Sequence, residues 1–435
     1  MRILSFTGGA GTMYCGSCLR DNALAAALLA RGHDVILSPV YTPTRTDERN
    51  VSQAQVFFGG ISVFLEQHSA LFRHLPRTLD RVWDAPWALR MASKRQIKVD
   101  PKSLGELTVS MLRGERGFQA REISKLLEWL RTEPSFDLIV IPYSLLLGLA
   151  EPLKRELKGP VGCTLQGDDL FLEGLGEPHK RESLDLIREA SRHVDGFFPV
   201  SEYYRDFMPG YLGLPREKMH VIPIGINMQG YAPRAPRRGG PFTVGYFARI
   251  APEKGFHVLC EAYTRFRARP GTEGARLLAA GYLPPEHQPY LQDAREKLHA
   301  AGLAAEFEYR GEVDRAAKIQ FLRGLDVFSV PTVYEEPKGM FLIEAMASGV
   351  PVVQPRRGAF PEIIAKTGGG LVVDPDDPDA LADGWQMLQR DPDRAAALGA
   401  AGASGVREHY EVGRMAEIAE AAYGAVAAAG KRAAG

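Results

Sequence analysis

The sequence predicts an α/β protein of two Rossmann-like, doubly wound domains that face a central cleft, and three observations predict it. Short apolar runs of strand length alternate with helical stretches. The alternation breaks at YAPRAPRRGG, residues 231–240, and then restarts. The chain has 435 residues, too many for one core and suited to two domains of ~200 residues.

Taken in order, residues 2–7 read as an apolar strand, GGAG at 8–11 as a turn, and LRDNALAAALLA as a helix closed by Gly32. The chain returns in DVILSP at 34–39. This βαβ opening favours a parallel sheet with right-handed crossovers. Further strands are expected at 137–142, 161–165, 196–200 and at HVIPI, 220–224, completing a first domain over 1–230. Residues 43–133 are too long for a loop and carry Phe64, Leu65, Phe72, Trp83, Trp87, Leu112, Leu127 and Trp129 among many cations. They read as a mainly helical insertion that packs as a cover. A sharper reading has it shape an acceptor site, at a membrane surface through Trp83, Trp87, Arg81, Arg90, Lys94 and Arg95.

Past the linker, strands are expected at 243–250, 276–281, 306–311, 326–331, 351–355 and 370–374, giving a second domain over 241–412. Folds of this kind bind ligands in crevices at the carboxyl ends of their strands. An alanine-rich helix around 413–429 follows.

Composition narrows the function. Lysine plus arginine and aspartate plus glutamate both number 53, so no global field attracts nucleic acid or an anionic membrane, and an anion site must be built from a few local cations. MRILSFTGG lacks the apolar core of a signal peptide, and no apolar run approaches the ~20 residues of a membrane span. Four cysteines are too few for a disulfide framework, so a reducing cytoplasm is expected. Cys15-Gly-Ser-Cys18 has redox or zinc spacing but no second pair, and reads as small residues packed near a glycine turn, with a disulfide or metal as the alternative. No metal is expected at the site.

The chemistry concentrates in EEPKGMFLIEAMASGVP, residues 335–351, between two predicted strands. Phe341, Leu342, Ala345 and Met346 recur at helical spacing from Gly339 until Gly349 and Pro351 stop the helix. Free amides around Gly339, Met340 and Phe341 at a helix N-terminus make a phosphate cradle. Glu336 and Glu344 flank it, and a carboxylate can accept two hydrogen bonds side by side from a vicinal diol such as a ribose. The alternative is an exposed loop acid and a solvated helix residue. In FARIAPEKGFHVL, residues 247–259, Arg249 at a strand end and Lys254 at a helix start suit a pyrophosphate, against the alternative of two surface cations. GGAG is not a dinucleotide fingerprint. Tyr14 stands where the third glycine belongs, and the second strand ends at Ser38 and Pro39 without the acid that holds an NAD ribose.

The pattern from Glu336-Pro337 through Gly339, Glu344-Ala345-Met346-Ala347 and Gly349 to Pro351-Val352-Val353 resembles the signature of the family 4 retaining glycosyltransferases, with Lys338 at a usually aromatic position. Arg249 through Lys254-Gly255 resembles the family's Gly-Arg-x-x-x-x-Lys-Gly segment, with Ala248 for the first glycine. The resemblance implies the GT-B fold, with the last helix crossing back onto the first domain (413–435), and transfer of a sugar with retention from a nucleoside diphosphate donor without a metal. By the same resemblance Glu336 binds donor sugar hydroxyls, Glu344 the ribose, and Arg249 with Lys254 the pyrophosphate. Gly8 and Gly9 match the family's glycine loop, and Glu362 in GAFPEII matches its Gly-Gly-x-x-Glu turn with Ala359 for a glycine. Gln166 stands where the family often has a histidine, which leaves Asp168 and Asp169 as candidates for acceptor hydroxyls, against a solvated turn. UDP is the expected nucleotide, with GDP or ADP as alternatives. The acceptor is a carbohydrate, lipid or small molecule, met in the cytoplasm with peripheral membrane contact as an option. A glucan synthase of the same fold is the runner-up. Residues 61–73 resemble its loop, but Phe6 and Thr7 precede Gly8 and Gly9 where its Lys-x-Gly-Gly motif belongs. A nucleotide-sugar epimerase and a non-catalytic nucleotide-sugar binding protein complete the alternatives.

Overall fold

The computed structural model describes residues 1–9, 13–54, 56–58, 67, 101–233 and 239–434. The chain forms two compact units, one of Met1–Pro223 with Met415–Gly435 and one of Ile224–Arg414. Each is built on a parallel sheet with helices around it, the arrangement of the GT-B fold.

The sheet of unit 1 contains β1 (Arg2–Thr7), β2 (Asp34–Pro39), β3 (Leu138–Ile141), β4 (Val161–Leu165) and β5 (Gly196–Pro199), in the order β2-β1-β3-β4-β5. Parallel strands covered on both faces are apolar throughout, and every residue of β3, β4 and β5 is buried. The helices are α1 (Gly16–Ala30), α2 (Pro101–Leu112), α3 (Ala120–Thr132), α4 (Ala150–Leu157), α5 (Asp168–Glu173), α6 (His179–Ala190) and α7 (Glu202–Leu212). The strand order reverses beside β1, so Gly8 and Gly9 leave the sheet at its switch point.

HVIPI is not a strand. His220 and Ile222 donate to the Phe197 and Pro199 carbonyls of β5, but Pro199 has no N–H to return to the His220 carbonyl, so no ladder forms. The described end of the predicted insertion is helical, as α2 and α3, with Leu112 and Leu127 buried and Trp129 4.9 Å from Phe57. Phe64, Leu65, Phe72 and the Trp83, Trp87, Arg81, Arg90, Lys94 and Arg95 cluster lie outside the described residues.

Unit 2 contains β6 (Thr243–Phe247), β7 (Arg276–Ala280), β8 (Phe307–Tyr309), β9 (Val327–Phe328), β10 (Val352–Pro355) and β11 (Gly370–Val373) in the order β11-β10-β9-β6-β7-β8. Its helices are α8 (Phe256–Arg267), α9 (Gln288–Ala300), α10 (Arg315–Arg323), α11 (Met340–Ala347), α12 (Phe360–Thr367), α13 (Pro378–Arg390) and α14 (Pro392–His409). Phe256, Leu259, Tyr263 and Phe266 form the buried stripe of α8, and Trp385 of α13 meets Phe266 edge-on at 6.0 Å. The Trp385 indole donates to Ser329 Oγ at 2.9 Å, and Ser329 donates to the Val353 carbonyl at 2.7 Å, so this buried polar pair leaves no donor unmet. β6 and β9 are neighbours with Gly245 opposite Phe328, and the order reverses between them. Their carboxyl ends carry the loops that begin at Ala248 and Ser329.

The last helix, α15 (Val412–Ala434), contributes Met415 onward to unit 1, where Tyr423 lies 4.8 Å from Phe198 of β5 and Val426 packs over Gly196. Among the described residues no helix is long and apolar enough to cross a membrane.

Candidate active site

The switch point of unit 2 brings two loops together. After β6 the chain makes a tight turn over Pro252–Lys254, and Gly255 follows at φ +69°. A Cβ there would stand 1.7 Å from the Pro331 carbonyl oxygen beyond β9, so only glycine lets the two backbones meet. Val333 N–H donates to the Glu253 carbonyl at 3.0 Å and ties the loops further. This contact carries Lys254 to the second loop.

There Lys254 Nζ lies 2.5 Å from Glu336 Oε2 and 2.7 Å from the Tyr334 hydroxyl, with the Phe341 ring 5.4 Å away. Tyr334 also donates to Glu336 Oε2, while the Lys338 and Gly339 amides donate to Oε1 at 3.1 and 3.4 Å. Glu336 is therefore a buried carboxylate ringed by donors, and the exposed-acid alternative fails. Burial pushes its carboxyl up, but the Lys254 and Lys338 charges and the bonds from Lys254 and Tyr334 overcome this and bring it down to about 2. The Tyr334 hydroxyl moves the other way, well above its ordinary value, through burial and the Glu336 charge. Behind Glu336 the loop after β10 passes closely. A Cβ on Gly358 would lie 2.2 Å from the Glu336 carbonyl oxygen, which instead accepts from the Ala359 amide at 2.8 Å.

Gly339 caps α11 in the left-handed conformation. Leu342 and Ile343 make the first bonds to its carbonyl, so the Met340 and Phe341 amides precede the helical ladder and face out of the N-terminus. Amides in that position attract an anion. One turn further, Glu344 is buried, and its Oε1 accepts from Lys318 Nζ at 2.6 Å and from the Tyr231 hydroxyl at 3.1 Å. Arg249 leaves the end of β6 with its guanidinium on Glu253 and its side chain 41% exposed. Glu362 lies half-buried in the first turn of α12. Unit 2 thus brings Lys254, Glu336, Gly339, Met340 and Phe341 together, with Glu344 on the same helix.

The first-domain candidates lie in unit 1. Gly8 faces the Tyr143 ring, and Gly9 lies against the Thr42 backbone. Gln166 is buried and donates to the Pro142 carbonyl at 3.0 Å. Asp168 and Asp169 open α5 and do not form a solvated turn. Asp168 is buried and accepts from the Ser144 amide at 2.8 Å, and Asp169 accepts from the Tyr204 hydroxyl at 2.6 Å. Burial lifts the Asp168 carboxyl to about 6 against the opposing bonds from Ser144 and Gln166. None of the four cysteines is in a disulfide.

Sequence reasoning missed Tyr334, Lys318 and Tyr231. For Lys318 a signal existed: it falls on the stripe of α10 that buries Ile319, Phe321 and Leu322, where a lysine needs a partner.

Comparison with known proteins bears on this arrangement. Residues 231–404 match the family model described as glycosyl transferases group 1, and residues 105–229 match that of glycosyltransferase family 4. A GDP-mannose-dependent alpha-(1-6)-phosphatidylinositol monomannoside mannosyltransferase of Mycobacterium tuberculosis is 30% identical over 232 residues, covering 50% of this chain and 58% of that protein. A phosphatidyl-myo-inositol mannosyltransferase of Mycobacterium leprae is 31% identical over 232 residues, 52% of this chain and 58% of that one. The chain thus spans little more than half the length of these relatives. Among solved structures, a sucrose-phosphate synthase from Thermosynechococcus elongatus superposes with a TM-score of 0.72 at 18% identity, covering 99% of this chain and all of that one. Anabaena HepE in complex with UDP and glucose gives 0.67 at 20% identity, over 97% of this chain and 99% of that one.

Proposed function

Since the chain belongs to the family 4 glycosyltransferases, we propose that it moves a glycosyl group from a nucleoside diphosphate sugar to an acceptor hydroxyl with retention at the anomeric carbon. The observation that carries the reading is the meeting of Lys254 with Glu336 beside the outward amides of Met340 and Phe341. An ammonium on a short leash and a helix N-terminus suit a diphosphate, and Arg249 adds a second cation from the same loop.

In this reading the diphosphate draws Lys254 away from Glu336. The carboxylate oxygen so released accepts a hydroxyl of the donor sugar, and Glu344 accepts from the ribose. As the bond from the anomeric carbon to the diphosphate breaks, charge builds on the leaving group, where Lys254, Arg249 and the α11 amides stabilise it. These fixed charges do the work without a divalent cation, so turnover is expected to survive EDTA. Activity lost to EDTA and restored by magnesium or manganese would contradict this.

The relatives' names put a GDP-sugar beside a UDP-sugar as the first donors to test, and a phosphatidylinositol-type lipid beside soluble carbohydrates among acceptors. The setting in this reading is the cytoplasm, with peripheral membrane contact if the acceptor is a lipid. Liposome co-sedimentation with and without residues 80–96 tests that contact.

The decisive experiment has two stages. UDP-glucose, GDP-mannose and ADP-glucose are compared by thermal shift, where a ligand at a hundred times its Kd adds about 2.7 kcal/mol. Release of nucleoside diphosphate and the configuration of the product are then followed with an acceptor panel. No shift with any donor ends the reading. Binding without release with any acceptor leaves a non-catalytic binding protein, and an inverted product removes retention.

A further inference from the structure

Glu344 is assigned to the ribose in the reading above, yet it lies in the structure as one half of a buried ion pair. Its side chain is 9% exposed and that of Lys318 is 6% exposed. Two donors, Lys318 Nζ at 2.6 Å and the Tyr231 hydroxyl at 3.1 Å, fall on the same oxygen, Oε1. Tyr231 is itself held in place. The Arg315 guanidinium stacks 5.2 Å from its ring and donates to the Asn227 and Gln229 carbonyls at 2.7 and 3.0 Å. Lys318 stands one turn along α10 from Arg315, with the Phe247 ring at the end of β6 5.9 Å from its ammonium. Lys318 faces Glu344 from α10, and Tyr231 faces it from the segment before β6. α14 also packs on α11, and it meets Met346 through Gly402 and the Gly349 carbonyl through Gly399.

We propose that Lys318, with Tyr231, is a positioning residue for nucleotide recognition: the two donors hold Glu344 turned so that Oε2 is presented to the ligand. The inference rests on the donor-site reading of Glu344 and adds to it a residue on another helix. The two donors on Oε1 fix the carboxylate's rotation about its last bond and leave Oε2 to accept from the ligand. Lys318 need not touch the ligand.

The test measures Kd for UDP, GDP and inorganic pyrophosphate by calorimetry, on the full chain and on Lys318→Gln and Lys318→Arg. Pyrophosphate has no ribose for Glu344 to hold. For Lys318→Gln the Kd of both nucleotides is expected to rise about tenfold while that of pyrophosphate stays unchanged. For Lys318→Arg, which restores a charged donor, nucleotide affinity is expected to return to within about threefold of wild type. Equal weakening for nucleotide and pyrophosphate, or unchanged nucleotide affinity, overturns the inference, since a merely structural lysine would disturb the whole site. If Lys318→Gln does not fold, Tyr231→Phe deletes the second donor alone, and the expected result is threefold to tenfold weaker binding. Unchanged affinity in that variant overturns the proposal. Wild-type protein that binds neither nucleotide sinks the donor-site reading, a result distinct from both.

Discussion

Replacing Lys254 with methionine tests the Lys254–Glu336 contact most directly. Glu336 is 2% exposed, and burial alone would raise its carboxyl above the ordinary value of 4.5; the ammonium 2.5 Å away is the chief reason it stands at about 2. At ~1.36 kcal/mol per pKa unit, that depression corresponds to about 3 kcal/mol favouring the folded form. The folded value lies below the unfolded one, so the contribution is complete above pH 4.5 and is lost as pH falls towards 2. At pH 7 Lys254→Met should therefore loosen the loop by about 3 kcal/mol, in the range expected when one partner of a buried pair is removed. Because two compact units need not unfold together, the readout is local: hydrogen exchange at the Lys338, Gly339 and Ala359 amides, all bonded to Glu336. They should exchange about a hundredfold faster in the variant, and Glu336→Gln added to Lys254→Met should restore most of the protection by removing the unpaired charge. The difference from wild type should close as pH drops from 4.5 towards 2. Unchanged exchange in Lys254→Met, or no recovery in the double variant, would refute the reasoning.

Gly255→Ala must fit a Cβ where the Pro331 carbonyl stands, at a positive φ, so loss of nucleotide binding with at least about 2 kcal/mol of destabilisation is expected in calorimetry and urea unfolding. Glu344→Ala should raise Kd for UDP or GDP about tenfold or more, since it removes a charged acceptor, whereas Lys254→Ala should mainly lower kcat. Asp168→Asn should stabilise unit 1 in urea at pH 8. The folded carboxyl, at about 6, lies above its ordinary value, so its stabilising contribution is complete below pH 3.8 and gone above 6, and a neutral amide escapes that loss while still accepting from Ser144. A less stable Asp168→Asn at pH 8 would count against burial as the cause.

The parallel sheets were legible because strands covered on both faces must be apolar along their length, as in LIVI at β3 and VGCTL at β4. Local spacing also showed the Gly339 cap and the stripe on α8. HVIPI misled for the same reason: it is apolar and short, and only its neighbour β5 shows that Pro199 has no N–H to return to it. The donors that surround each glutamate were harder to see. Lys254 meets Glu336 from 82 residues away, and Tyr231 meets Glu344 from 113. Such partners are chosen by strand order and by backbone approaches like that of Gly255 to Pro331, which leave no trace in helical or strand periodicity. Tyr334, two residues from Glu336, stands in an irregular loop, where no periodicity marks a hydroxyl that reaches the carboxylate.

The place of α15 has a consequence for synthesis. Phe198 and Gly196 of β5 are covered by Tyr423 and Val426, which leave the ribosome only after the whole of Ile224–Arg414 has been translated. At ~5–20 residues per second that interval is roughly 10–40 s. Throughout it the nascent chain carries an uncovered apolar face on β5, so the half begun first is completed only after the other has been made. Slow codons within that window would lengthen the exposure of the β5 face before Tyr423 and Val426 arrive to cover it.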